Sequence, residues 1–517
     1  MTKLTNLNLK PGESEERLYT LAAERLGVRA RDIEELVILR RGLDARRRGA
    51  IRWVYSVGVR LRGEEREPQS GYEIPQLSND GPRPVVAGFG PAGIFAALVL
   101  ARAGLRPIVL ERGPRMDERQ KAVETFRSGG ALDPEANVQF GEGGAGTFSD
   151  GKLNTGTRDV RHRFIMEQLV SCGAPADILT DALPHVGTDM LHIALQRLRR
   201  QLLDAGADIR FGARLEGLTV QEGAVTAVTV RKGGTLYTLP ARQVVLALGH
   251  SARDTFEMLY DAGAAMEQKP FAMGVRIEHR QSAVDAARYR RLAGHPSLPP
   301  ATYKLSCHLP NGRSAFSFCV CPGGQVVAAA SEARRVVTNG MSEYARDREN
   351  INGALLVNVT PADFPDDHPL SGIRLQRQLE EAAFALGGGD YRAPCQRVED
   401  FLAGRPSVGA GNVQPSYLPA VTYTDLHRCL PPFISETLAL ALPELGRRLR
   451  GYDDPDALLT GVETRSSSPV RLVRDGHYES NIRGVYPCGE GAGYAGGILS
   501  AAADGMRCAE KILEVYR

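Results

Sequence analysis

The stretch Pro84-Val-Val-Ala-Gly88-Phe-Gly90-Pro91-Ala92-Gly93 decides the fold. A short apolar strand runs to Ala87, a Gly-x-Gly-x-x-Gly turn follows, and an apolar helix over 92–103 ends at Gly104. Gly88 permits the tight turn, Gly90 lets a pyrophosphate approach the backbone, and Gly93 lets the helix pack on the strand. Pro91 and Ala92 open the helix, so phosphates would sit at its positive end. A second apolar strand, 107–110, leads to Glu111 and Arg112, with Glu111 eighteen residues after Gly93. A carboxylate there can hold both ribose hydroxyls and disfavours a 2′-phosphate, which points to FAD or NAD rather than NADP. Residues 84–101 carry no charge over eighteen positions. The glycines and prolines at the start of that run favour strand, turn and helix over a membrane span.

Three further segments fit around this one. Gly484 to Gly491 (Gly-Val-Tyr-Pro-Cys-Gly489-Glu490-Gly) precedes Gly493-Tyr-Ala-Gly496-Gly497-Ile498 and a helix. Flavoproteins of the glutathione-reductase-like superfamily place a Gly-Asp at this point, and the segment resembles that pattern with Glu490 as the acid. The resemblance implies that Glu490 binds the ribityl chain. A helix N-terminus near 497 would stabilise negative charge on the pyrimidine edge of reduced flavin. The loop Phe140 to Asn154 has four glycines within 141–147. Related flavoproteins carry such a loop beside the isoalloxazine, which makes Gly144, Thr147, Ser149 and Lys152 candidate contacts. A surface lysine is the alternative at Lys152. The strand 244–248 ends in Ala-Leu-Gly249 and exits through His250 and Arg253. His250 is a candidate acid/base group, with a structural histidine as the alternative. Arg465, in Glu463-Thr-Arg-Ser-Ser-Ser468, is the candidate for a substrate or flavin contact. Taken together, most of 84–517 is similar to a family known as uncharacterised FAD-dependent dehydrogenases. That family name implies FAD and leaves the substrate open.

Composition narrows the classes. The 517 residues carry 64 basic and 61 acidic side chains, a balance that argues against a dedicated polyanion binder. The eight cysteines are spread without metal-ligand spacing, so neither a zinc site nor a disulfide framework is expected, and a reducing cytoplasm is the simplest compartment. Cys319 and Cys321 read as two small hydrophobes on one face of a strand. No cysteine pair lies beside the 143–154 loop in sequence, which speaks against a disulfide reductase. No second Gly-x-Gly-x-x-Gly set directly between a strand and a helix is read, since Gly387 to Gly389 and Gly409 to Gly411 are not framed in that way. NAD(P)H, if used, would be a transient donor, and a redox partner protein stays open.

The expected architecture is α/β. Residues 1–62 form a small N-terminal α/β module with a helix over 15–26 and strands over 33–39 and 51–61. Residues 63–82 are a linker. A Rossmann-like FAD-binding domain, split into 83–265 and 455–517, encloses a strand-rich α+β substrate domain at 266–454. Residues 113–160 read as a long Gly-rich loop. Asn339, Glu343, Arg346 and Asn350 read as a solvated helix face. The module's 14 basic against 8 acidic residues leave nucleic acid open there, although Arg46 to Arg48 read as a solvated loop. The expected function is an FAD-dependent oxidoreductase, a dehydrogenase or reductase of a small molecule. A flavin monooxygenase and an RNA-modifying flavoprotein are the alternatives, and neither a membrane nor a metal is expected.

Overall fold

The computed structural model describes residues 1–46, 51–65, 71–78, 81–156 and 158–517; Arg47, Arg48 and part of the 63–82 linker lie outside them. Five parallel strands form the central sheet, in the order Val485–Pro487, Val244–Leu246, Val85–Ala87, Ile108–Glu111, Asp208–Phe211. Strand Val85–Ala87 is wholly buried, as a parallel strand covered on both faces must be. Helix Pro91–Arg102 is apolar on nearly every side and buried from Ala92 to Ala101. It is enclosed between the sheet and neighbouring helices, among them the C-terminal helix Ile498–Val515. The contact between those two helices needs Gly505, where a Cβ would collide with the Ala92 carbonyl. A three-stranded antiparallel sheet, Ala213–Gln221, Ala224–Lys232 and Thr235–Pro240, lies against the other face.

The inserted part centres on a seven-stranded sheet, in the order Ser306–His308, Ser314–Cys321, Asn350–Val359, Phe271–Arg280, Leu458–Glu463, Ala393–Arg397, Val421–Tyr423. Helices Ser371–Gly387 and Pro432–Arg448 join it in one apolar cluster. Strand Leu458–Glu463 pairs with Phe271–Arg280 and Ala393–Arg397, so the handover expected between 454 and 455 falls one element too early. The chain leaves and re-enters the nucleotide-binding part through Met266–Gln268 and Val470–Leu472. These two segments pair antiparallel as a ribbon.

Other expectations change too. The stretch 113–160 contains helix Met116–Arg127, which buries Met116, Arg119, Val123 and Phe126 at helical spacing and is otherwise charged. Asn339 and Asn350 lie in strands Thr338–Met341 and Asn350–Val359, and Arg346 turns onto Asp150. Their polar side chains have buried partners, which an exposed-helix reading does not foresee.

In the N-terminal module, helix Arg17–Leu26 packs on strands Thr2–Leu9, Ile33–Asp44 and Arg52–Leu61. The first strand escapes a period-two reading because its register shifts between Leu4 and Leu7, where Asn6 has φ +60°. The module is fastened to the larger body at Arg41. Its N–H donates to the Thr180 carbonyl at 2.8 Å and its carbonyl accepts from Ala182 N–H at 2.7 Å. The Arg41 guanidinium pairs with Asp181.

Candidate cofactor and redox site

One cavity of about 340 Å³ opens at the C-terminal ends of the parallel strands and is walled by both parts of the chain. Gly88, Gly90, Pro91 and Ala92 line it from the first turn, and Gly489, Glu490, Gly496, Gly497 and Ile498 from the last. Gly88 has φ +108°, and a Cβ there would collide with the Ala247 carbonyl. Gly93 does not face the cavity. A Cβ at Gly93 would collide with the Gly88 carbonyl, which fits its expected part in packing helix against strand. Gly496 and Gly497 face open space, with no atom within 4 Å of an added Cβ. Helices Pro91–Arg102 and Ile498–Val515 both begin without a side-chain cap. Their first N–H groups are therefore left for water or an anionic ligand. Two uncapped helix starts and a carboxylate on one cavity fit the diphosphate, ribose and flavin of FAD.

The buried Glu111 carboxylate lines the cavity. It also accepts backbone N–H bonds from Phe89, Gly113 and Gly141, each at 2.9 Å. It thus pins the Gly-rich turn and the 140s loop together and keeps lone-pair capacity for a hydroxyl. Arg112 lies on the wall, fixed by Glu135 at 2.7 Å and Asp254 at 2.8 Å and stacked 4.1 Å from the Phe140 ring centroid. Burial pushes the Glu490 carboxyl up to about 7, although the Gly497 N–H and Lys269 pull the other way.

Gly144, Ser149 and Lys152 line the cavity. Thr147 does not. It is 1% exposed, its hydroxyl donates to the Glu142 carbonyl at 3.4 Å, and its carbonyl accepts from the Thr188 hydroxyl at 2.6 Å. The short helical turn Ala145–Phe148 turns this side chain inward. Lys152 Nζ lies 2.9 Å from the buried Asp150 carboxylate and 3.9 Å from Cys321 Sγ. Burial opposes its charge, but Asp150 and the two cysteines hold its pKa above the ordinary range.

His250 and Arg465 also line the cavity. His250 Nδ1 is 3.1 Å from Ser251 Oγ. Burial, with Arg465 and Arg253 nearby, pushes the imidazole down to about 3, so it is neutral near pH 7 and a weak base. Arg465 grips Glu380 with Nε at 3.0 Å and a terminal nitrogen at 2.9 Å. Its other terminal nitrogen reaches Ser331 at 2.6 Å and Ser251 at 3.1 Å. Glu380 accepts two further bonds of 2.8 Å from Arg253. Arg465 is thus largely spoken for by protein, and its geometry is that of a positioning residue.

The composition and motifs did not single out Arg276, Glu380 or Asp150. Arg276 sits in strand Phe271–Arg280 directly after the apolar run Phe271–Val275, and a cation set between Val275 and Ile277 is the one signal that could have found it. Its guanidinium meets Glu463 at 3.4 Å and the Cys319 carbonyl at 3.1 Å. Burial first, and Cys321 second, push the cavity-lining Glu463 up to about 7 against the pull of Arg276.

The parallel sheet, the glycine turn with its carboxylate and the second uncapped helix define a Rossmann-like FAD-binding protein. The chain belongs to a family of FAD-dependent proteins. Residues 84–258 match the family described as "FAD binding domain", and residues 270–466 match "FAD-dependent protein, C-terminal domain-like". Residues 1–60 match a domain of unknown function. A Clostridium beijerinckii protein described as uncharacterised is 44% identical over 530 residues, covering 99% of both chains. Among solved structures, the chain is similar to the flavin-dependent brominase Bmp2, at 12% identity over 84% of this chain and 79% of that one, with a TM-score of 0.39. It is also similar to a geranylgeranyl bacteriochlorophyll reductase-like protein from Thermoplasma acidophilum, at 12% identity over 86% and 80%, with a TM-score of 0.36. Among the described residues, no helix is long and apolar enough to cross a membrane.

Proposed function

We propose that the protein is an FAD-dependent oxidoreductase, a dehydrogenase or reductase that moves a hydride or two electrons between its flavin and a small molecule. The observation that carries this reading is the shared cavity. Nucleotide-binding turns form one wall, and Phe318, Cys319 and Asn339 of the inserted part form another. A substrate held by the second wall would lie beside a cofactor held by the first.

When bound, FAD supplies a two-electron acceptor and donor. The residues of the chain hold and tune it. The Pro91–Arg102 N-terminus would receive the pyrophosphate, and Glu111 would take a ribose hydroxyl. Glu490 would hold the ribityl chain, and the Ile498–Val515 N-terminus would favour negative charge on the flavin. Arg465 and His250 shape the wall between the two parts. NAD(P)H as a transient donor and a partner protein as electron carrier are both compatible with a chain in which the turn at 88–93 is the Gly-x-Gly-x-x-Gly set directly between strand and helix.

The test is an anaerobic titration of the purified yellow protein with NADH and with NADPH, followed by flavin absorbance. Bleaching identifies a nicotinamide-driven reductase or monooxygenase, which peroxide release or substrate hydroxylation under oxygen then separates. If the flavin stays oxidised, organic donors are screened the same way, and a flavin that no donor or acceptor turns over ends the reading. Glu111→Ala and Glu490→Ala should each purify with well under half of the parent's flavin content. Full flavin in both would show that the cofactor lies elsewhere.

A further inference from the structure

Strand Ser314–Cys321 is interrupted where it passes the cavity. Phe318 pairs with Ala354 and Cys321 with Asn352, so one extra residue bulges out of the ladder. Cys319 sits in that bulge with φ +42°, in the left-handed region that side chains other than glycine rarely adopt. In an extended strand, residues two apart have Cα atoms about 6.8 Å apart, at the outer edge of disulfide geometry. A bulge bends the chain and shortens that span. Cys319 lines the cavity, while Cys321 is fully buried behind it with its Sγ 3.3 Å from the Cys319 carbonyl.

The surroundings suit a thiolate. Lys152 Nζ and an Arg276 terminal nitrogen each stand 3.9 Å from Cys321 Sγ, from two different elements. The hydrogen bond from Cys321 pulls the Cys319 thiol below the ordinary range against burial, and Lys152 and Arg276 add to that pull. The same hydrogen bond, together with burial, raises Cys321. Glu463 lies on the same wall, paired with Arg276. Two cysteines packed only as small hydrophobes would need neither a strained backbone nor two cations. The tertiary structure also brings the pair to Lys152, at the end of the 143–154 loop, where sequence distance had hidden it.

We propose that Cys319 and Cys321 are a redox-active dithiol that exchanges two electrons with FAD bound in this cavity. On oxidation of the pair, the Cys319 thiolate and Cys321 form one S–S bond and the Cys321 S–H bond breaks. Two electrons and that one proton pass to oxidised FAD, and the reverse step returns them from reduced FAD to the disulfide. Cys319 stands on the cavity side, Lys152 and Arg276 hold the negative charge of the pair, and Glu463 relays the Cys321 proton toward the flavin. The inference rests on the flavin reading of the cavity and adds a second two-electron centre to it.

The experiment is an anaerobic dithionite titration of the air-oxidised holoprotein, followed by non-reducing peptide mass mapping. The expected uptake is four electrons per FAD in the parent and two in Cys319→Ser and in Cys321→Ser. The 314–321 peptide should be two hydrogen masses lighter before reduction and doubly alkylated after it. An uptake of two electrons in the parent, with both cysteines alkylated before reduction, overturns the dithiol and leaves the flavin reading intact. A colourless protein that binds no added FAD would instead overturn the flavin reading. Both parent measurements decide the question even if neither variant folds.

Discussion

Glu380 is fully buried and accepts from two arginines and from the Thr464 hydroxyl at 2.7 Å. Arg253 and Arg465 hold its carboxyl well below the usual range despite burial. Removing the acid leaves two buried guanidiniums sharing one partly exposed carboxylate, Glu332. Glu380→Ala should therefore destabilise the protein by about 3–5 kcal/mol, read as a lower urea midpoint. An unchanged midpoint would mean that water reaches this cluster freely. A second prediction concerns Glu490, whose carboxyl burial raises from an ordinary 4.5 to about 7. Between those values the folded apoprotein binds a proton that the unfolded chain has released. The stability this confers is complete below about 4.5 and is lost as pH rises through about 7. Melting temperatures of the apoprotein from pH 5 to 8 should fall less steeply in Glu490→Gln than in the parent. Glu463 contributes in the same direction, and His250 and His192, whose burial keeps them neutral, contribute with the opposite sign below about 6.5. At this scale the sequence was legible where a motif fixes backbone geometry, as at Gly88, Gly93 and Glu111. It was not legible for Glu380 or Arg276, because their meaning comes from partners more than 40 residues away.

Elements carry a different kind of constraint. Helices Pro91–Arg102 and Ile498–Val515 approach so closely that Gly505 abuts the Ala92 backbone. Gly505→Ala would push the two uncapped N-termini apart. The expected cost is about 1–3 kcal/mol from overpacking, with a matching loss of bound flavin on gel filtration. Full flavin retention would show that the helices can separate without disturbing the cavity. Strands and helices with clean periods, such as Asp208–Phe211 and Thr188–Asp204, can be read from sequence almost to the residue. Helix Met116–Arg127 could not, because its charged surface outweighs four inward side chains. The bulge at Cys319 was equally hidden. Strict alternation is what a bulge violates, and nothing in Phe-Cys-Val-Cys marks where the ladder slips.

The whole molecule divides by connection as much as by packing. The N-terminal module has its own small core and reaches the larger body through Arg41 and its neighbours. Several of its basic side chains, Arg17, Arg29, Arg41, Arg46 and Arg60 among them, are paired with carboxylates. Pairs within the module leave its net charge unchanged, and of these arginines only Arg41 sets carboxylates of the larger body, Asp181 and Asp177, against that surplus. Deleting residues 1–62 should leave most of the flavin bound and lower the melting temperature modestly. Loss of all flavin would make the module part of the cofactor site. The inserted part is joined quite differently. Its first and last residues, Gln268 and Val470, face each other across the antiparallel ribbon. A segment whose two ends are partners in one ladder behaves like a cartridge. It can be excised or exchanged in a single recombination without cutting any strand of the parallel sheet. Cofactor and chemistry are then inherited as separate parcels, and descendants of one nucleotide-binding scaffold can take up new reactions by changing what is plugged into it.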